Sequence, residues 1–191
     1  MELKSRGLET DPKLAIADGA LGFWKALPQI FPTTRAQRCW VHKTINVLDK
    51  MPKSVRQQAT GMMRDIYMAE TKGRALKAYQ VFIDSFDEKY PKAVACLQDD
   101  EEVLFSFYDM PAAHWQHIRS TNVIESVFAT VRLRTKKTKG CCTRLATLTM
   151  VFKLVQEAEK GWRRLRGWRK LVLIREGRRF VDGVLQEETA A

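Results

Sequence analysis

The sequence is short of several residue classes, and each shortage removes an option. Its four cysteines, Cys39, Cys96, Cys141 and Cys142, lie far apart except for one adjacent pair, which is not the spacing of a secreted disulfide framework. They read as free thiols. No apolar run approaches the roughly 20 residues that a membrane span needs, and the charged start MELKSRGLE lacks the apolar core of a signal peptide. No membrane partner is expected, and the cytoplasm is the expected compartment. Internal repeats and low-complexity segments are missing as well. What remains is a chain of 191 residues, 45% hydrophobic, which can bury one sizeable core as one domain or one domain with an insertion.

Acidic residues are scarce in one region only. Residues 1–125 carry 17 basic and 16 acidic side chains, whereas residues 126–191 carry 16 basic and 6 acidic, so nearly all of the net charge of +11 sits in the last third. This asymmetry is the footprint of a polyanion-binding surface, most simply nucleic acid. A solvated basic helix explains the charge run alone equally well.

Periodicity gives an order of elements. Leu14 to Ala17 is a short apolar run of the kind that forms a buried strand, Ala20 to Leu27 reads as a helix ended by Pro28, and Arg38 to Val41 reads as a second strand. From Lys43 to about Tyr108 the pattern is helical, with Val55, Ala59, Met62, Met63 and Ile66 on one face and Ala75, Tyr79, Phe82, Ile83 and Phe86 on another. A helix from about Val123 to Thr135 is predicted to bury Ile124, Val127, Phe128 and Val131, and a longer stretch from Arg144 to Trp168 is broken near Gly161 and Gly167. Strand, helix, strand, helical block and final helices form an α/β order interrupted by an all-helical insertion, with helix predominating overall.

Two carboxylates stand out against that frame. Asp18 follows the first strand directly, where open α/β sheets place their ligands. Taken alone, an N-cap that accepts hydrogen bonds from the helix after it is the commoner role for such an aspartate. Glu125, in HWQHIRSTNVIESVFATVRLRTKKTKG, fits a capping box with Asn122. Its helix nevertheless runs straight into Arg132, Arg134, Lys136, Lys137 and Lys139, so one end could serve a metal ion and the other phosphate.

The ordered combination DGALGFWKAL, QRCWVHK, a long helical segment and HWQHIRSTNVIESVFATVRLRTKKTKG resembles the mutator-type bacterial insertion-sequence transposases over essentially the whole chain. The resemblance implies a ribonuclease H-like catalytic fold, here partial, with two aspartates and a glutamate, a Cys/Asp-x-x-His signature and a helical insertion before the glutamate. It assigns Asp18 as the second aspartate, Glu125 as the glutamate, and Cys39 and His42 as the signature. It divides the chain into 1–42 with the strands and Asp18, 43–118 as the insertion, and 119–191 with the glutamate helix and basic C-terminal helices. It implies metal-dependent DNA strand cleavage and strand transfer. The cofactor would be Mg²⁺ or Mn²⁺, two ions in the complete enzyme, held at Asp18 and Glu125. The partners would be double-stranded DNA and further copies of the full-length protein. No acid upstream of Asp18 matches the first aspartate of the family, because Glu2, Glu9 and Asp11 lie in a helix end and a loop. The expectation is therefore the C-terminal part of a transposase that does not cut DNA alone. The alternative is a DNA-binding remnant able to interfere with the intact enzyme.

Two residue sets keep competing readings. Cys39 and His42 could join His114 and His117 around zinc. An extended segment from Arg38 to His42 would instead point residues 39 and 42 to opposite sheet faces, leaving Cys39 to pack and His42 to bond near Asp18 or contact phosphate. Trp115, with Arg119 nearby, and Trp162 and Trp168, interleaved with Arg163, Arg164 and Arg166, could stack on bases and grip the DNA backbone. Core packing is the other reading of all three rings.

Overall fold

The computed structural model describes residues 2–137 and 143–187. The elements run α1 (Glu2–Ser5), β1 (Leu14–Ala17), α2 (Leu21–Ile30), β2 (Arg35–Arg38), α3 (Trp40–Leu48), α4 (Lys53–Met68), α5 (Lys72–Phe86), α6 (Pro91–Gln98), α7 (Glu101–Leu104), α8 (Trp115–Ile118), α9 (Asn122–Lys137), α10 (Arg144–Glu159), α11 (Leu171–Arg175), β3 (Phe180–Val181) and β4 (Val184–Leu185). The protein is predominantly helical. β1 and β2 pair in parallel with Leu14 opposite Arg35 and Ala17 opposite Arg38, joined by the crossover helix that a parallel connection requires.

Three expected boundaries move. α2 continues through Pro28 to Ile30, since a proline removes one intrahelical bond without forbidding the turn that follows. β2 ends at Arg38, and α3 begins at Trp40 with Cys39 as its N-cap, so His42 belongs to a helix and not to a strand. The face of α9 expected to be buried is open: Ile124 and Phe128 are 58% and 49% exposed. α9 packs chiefly on α10, and Val127, Val155 and Trp162 are among the residues that line an open apolar groove there.

The core belongs to the helical block. Trp40, Met63, Ile66, Phe82, Leu97, Leu104, Phe107 and Tyr108 are almost completely buried, and each such side chain contributes roughly 1.5–3 kcal/mol. The expected faces of α4 and α5 supply Ala59, Met63, Ile66, Ala75, Tyr79, Phe82 and Phe86 to it. The polar atoms of two core rings find partners: Trp40 Nε1 donates to the Leu104 carbonyl at 2.9 Å and Tyr108 Oη to the Ala69 carbonyl at 2.8 Å.

β2 is the hinge between this block and the small sheet. The fully buried Gln37 amide donates to the Leu104 carbonyl at 3.0 Å and accepts from the Phe107 amide at 2.8 Å. Arg38 Nε lies 2.9 Å from an Asp100 oxygen that also pairs with Lys43, and Lys43 Nζ donates to the Cys96 carbonyl at 2.6 Å. Arg38 and Lys43 are both buried. Removing the single acid from a buried ionic cluster leaves uncompensated charge, a change that costs about 3–5 kcal/mol. Asp100→Ala is therefore expected to lower unfolding free energy by about 3 kcal/mol or more. A loss below about 1 kcal/mol in a urea titration would place those cations in water instead.

Candidate active site

Asp18 sits at the C-terminal end of β1, and its backbone is pinned. The Asp18 carbonyl accepts from Trp24 Nε1 at 2.7 Å and from the Arg38 guanidinium. Arg38 packs closely on Gly19, where a Cβ would lie 2.6 Å from Nη2. The carboxylate is exposed, with Oδ1 accepting from Ala20 N at 3.0 Å. Ala20, not Asp18, occupies the N-cap of α2. Asp18 thus closes an Asx-type turn and leaves the first helical amides alone.

Glu125 arrives from the other side. The carbonyl of Arg119 accepts the Trp40 amide at 2.8 Å, which ties the end of α8 to the start of α3. Thr121 then lies against Cys39, its N–H and Oγ1 each 3.4 Å from Sγ. The Thr121 carbonyl takes the amides of Ile124 and Glu125, so Glu125 stands one position later than a capping box requires. Its carboxylate accepts from the Thr121 hydroxyl. A hydroxyl has one proton, and this carboxylate is its nearest acceptor.

His42 joins the two halves. As i and i+3 of a helical turn, Cys39 Sγ and His42 Nδ1 are 3.2 Å apart, which overturns the expectation that they face opposite ways. His42 Nε2 lies 3.6 Å from Glu125 Oε1. The hydrogen bond to Cys39 raises the His42 pKa, burial opposes it, and the charges of Cys39, Glu125 and Asp18 raise it further. Burial opposes ionisation of Cys39, but hydrogen bonding from Thr121 and His42 outweighs it and holds the thiol pKa low. Sequence reasoning named four of these five residues and missed Thr121. Its place directly before the glutamate helix was the available signal.

Other expected site residues separate into two groups. Trp115 is a core residue, with its indole N–H bonded to the Met110 carbonyl at 2.8 Å and its ring against Phe107 and Tyr108. Stacking on DNA is closed to it in this fold. Arg119 also turns inward, donating to the Tyr67 carbonyl at 2.6 Å and lying over the Phe107 and Trp115 rings, and burial lowers its pKa. His114 is buried 3.0 Å from the Gly167 carbonyl and His117 lies beside Gln116, so neither reaches Cys39. By contrast, Arg132, Arg134, Lys136 and Lys137 are exposed on α9, and Arg163, Arg164 and Arg166 are exposed beyond α10. Trp168 is 45% exposed with Arg164 and Arg169 over its ring. Lys139 lies outside the described residues, as do Cys141 and Cys142.

The donor chemistry suits a hard cation. Mg²⁺ takes one or two carboxylates and fills its remaining positions with water or phosphate oxygen, and Asp18 and Glu125 offer two. Among the described residues no group of three or more His, Cys, Asp and Glu side chains is arranged to hold a metal ion. Asp11 is spent elsewhere: its carboxylate accepts from Thr33 N at 3.0 Å and Thr33 Oγ1 at 2.8 Å, before β1 begins.

A raised folded-state pKa means that His42 contributes stability fully below the ordinary histidine pKa and loses it as pH rises through the folded value. Cys39→Ala removes the largest cause of the shift. The His42 pKa, followed by NMR of its ring protons, is expected to fall toward the ordinary value, and stability should vary less with pH across that window. An unmoved titration would assign the shift to the carboxylates.

Comparison with known proteins places the chain in a family. Residues 1–165 match the family described as Transposase, Mutator family. The transposase for insertion sequence element IST2 of Acidithiobacillus ferrooxidans is 49% identical over 183 residues, covering 96% of this chain and 62% of that protein. The transposase for insertion sequence element IS6120 of Mycolicibacterium smegmatis is 50% identical over 186 residues, covering 97% and 57%. The chain thus spans about three-fifths of the length of these curated relatives. Its match over residues 1–165 is what decides membership, and the chain belongs to the Mutator family of transposases.

Proposed function

We propose that this chain acts in transposition of an insertion sequence, contributing part of a ribonuclease H-like catalytic site that cuts and rejoins double-stranded DNA. One observation carries the reading: Cys39 N donates to the Ala17 carbonyl at 2.9 Å, which sets the Cys39–His42 turn beside the strand end that bears Asp18, and His42 Nε2 lies 3.6 Å from Glu125 Oε1. The parallel β1–α2–β2 unit, with Asp18 at its strand end, is the fragment of sheet such a site needs. Residues 1–42 would be the sheet portion, 43–118 the insertion, and 119–191 the glutamate helix with the DNA-gripping cations.

Asp18 and Glu125 would hold Mg²⁺ or Mn²⁺, two ions in the complete enzyme. Bound there, the metal supplies charge stabilisation for displacement at phosphorus. The chain's own groups do the rest. The pinned Asp18 backbone fixes one carboxylate, and Thr121 orients the other. The cations of α9 hold the DNA backbone by neutralising phosphates. A water oxygen attacks phosphorus as the bond to the 3′-oxygen breaks, which frees a 3′-hydroxyl. That hydroxyl then attacks a phosphodiester of the target and displaces its 3′-oxygen in turn. A second reading, a DNA-binding protein that interferes with the intact enzyme, is favoured by the engagement of Asp11 with Thr33. Among the described residues only two acids would then serve the site, and this chain alone would not cut.

Glutamine accepts the Thr121 hydroxyl bond but is a poor ligand for a hard cation. In the complete transposase, Glu125→Gln should keep the melting temperature and DNA affinity and abolish cleavage of DNA carrying the element ends. Normal cleavage would reduce Glu125 to a structural role. For the DNA surface, replacing Arg132, Arg134, Lys136 and Lys137 by glutamine should flatten the dependence of log K on log salt by about 0.9 for each phosphate no longer neutralised. An unchanged slope would make that cluster a solvated face.

A further inference from the structure

A second cluster of cations lies at the other end of the small sheet. Lys13 directly precedes β1 and Arg35 opens β2, whereas Asp18 follows β1. At about 3.3 Å per residue, four strand residues separate the two ends by roughly 13 Å. There Lys13, Thr33, Arg35, Asp109, Arg178 and Arg179 line a cleft of about 420 Å³. Among the described residues, four cations from three distant segments and one carboxylate, which pairs with Arg35, line it.

The arginines on the far wall are held in place. α11 ends in a left-handed Gly177 (φ +79°), with Arg178 N donating to the Leu173 carbonyl at 2.9 Å and Gly177 N to the Ile174 carbonyl at 3.1 Å. This double bond pattern is a Schellman-type cap. Phe180, next in the chain, is 3% exposed, and the Arg179 carbonyl accepts from Gln186 N at 2.9 Å. The β3–β4 hairpin is docked in turn by Gly183, whose amide donates to the Tyr108 carbonyl at 3.0 Å and whose carbonyl accepts from Ala112 N at 3.1 Å. A Cβ at Gly183 would lie 2.5 Å from the Ala112 Cβ. The C-terminal cations are thus tied to the same body as the strands.

We propose that this cleft is a second phosphate-binding site for duplex DNA, distinct from the α9 cations and on the side of the sheet remote from Asp18 and Glu125. The proposal rests on the reading of the chain as a DNA-processing protein. Gathering like charges in a concave surface costs free energy that a polyanion offsets, and concave charged walls focus the field. The open shape suits a backbone passing through. Arg178 and Arg179 lie beyond the residues shared with the family as a whole, so this wall of the cleft is built outside the matched region.

The test is fluorescence anisotropy with a labelled 30-base-pair duplex in a salt series, using the full chain. Lys13→Gln with Arg179→Gln alters exposed side chains at the rim and should weaken binding several-fold at about 0.1 M salt, flattening the log–log slope by about 1 to 2. Asp109→Asn provides the opposite sign: it removes the acid from the cleft and should tighten binding about threefold. Unchanged affinity and slope in both variants, while the α9 glutamine variant still weakens binding, would overturn the cleft and leave the DNA reading standing. No binding of the duplex by the unaltered chain would overturn both.

Discussion

The site exists because the chain returns to its starting point between Trp40 and Arg119. Closing a loop of that length costs on the order of 4 kcal/mol of chain entropy, while the backbone bond from Trp40 N to the Arg119 carbonyl returns only about 1 kcal/mol. The difference comes from the core of the helical block, where Trp40, Phe82, Leu97, Leu104, Phe107 and Tyr108 are buried. Trp40 belongs to that core through its side chain and to the closure through its backbone. Arg119 has the same double role, with its guanidinium over Phe107 and Trp115. Packing in the helical block therefore positions Thr121, and Thr121 positions Glu125.

Polar links carry that placement across to the sheet. Gln37 bonds the backbone at Leu104 and Phe107, and Arg38 bridges the Asp100 cluster and the Asp18 carbonyl. A buried amide or guanidinium is tolerated only when its hydrogen bonds are met, so each link fixes direction as well as distance. The result is an exposed carboxylate on an immobilised backbone. At Glu125 the same task falls to a side chain, the Thr121 hydroxyl. The thiol and imidazole of Cys39 and His42 fill the space between the two supports.

Charge is distributed as the sequence suggested, but its uses differ. Of the cations expected to meet DNA, those on α9 and beyond α10 are exposed, while Arg119 is consumed by carbonyl and ring contacts inside the protein. Lys13 and Arg35 belong to the nearly neutral first two-thirds of the chain and gain meaning only beside Arg178 and Arg179. Net charge counts side chains, whereas a binding surface depends on which of them share one face.

The sequence by itself determined the strand at Leu14 to Ala17, the apolar faces of α4 and α5 and the family, because these depend on local periodicity and on motifs read in order. It also contained the start of α3, but short-range pattern could not decide it. The run Arg38 to Val41 suits a strand or a helix start, and the Arg119 carbonyl, which satisfies the Trp40 amide, lies far along the chain. Only the tertiary structure decided that Cys39 and His42 share one helical turn, that Thr121 stands between them and Glu125, and that Trp115 is buried. It also left Ile124 and Phe128 open, although their spacing is that of a core face. Periodicity shows which residues could be buried together. Which surface covers them depends on long-range packing that no window of sequence contains.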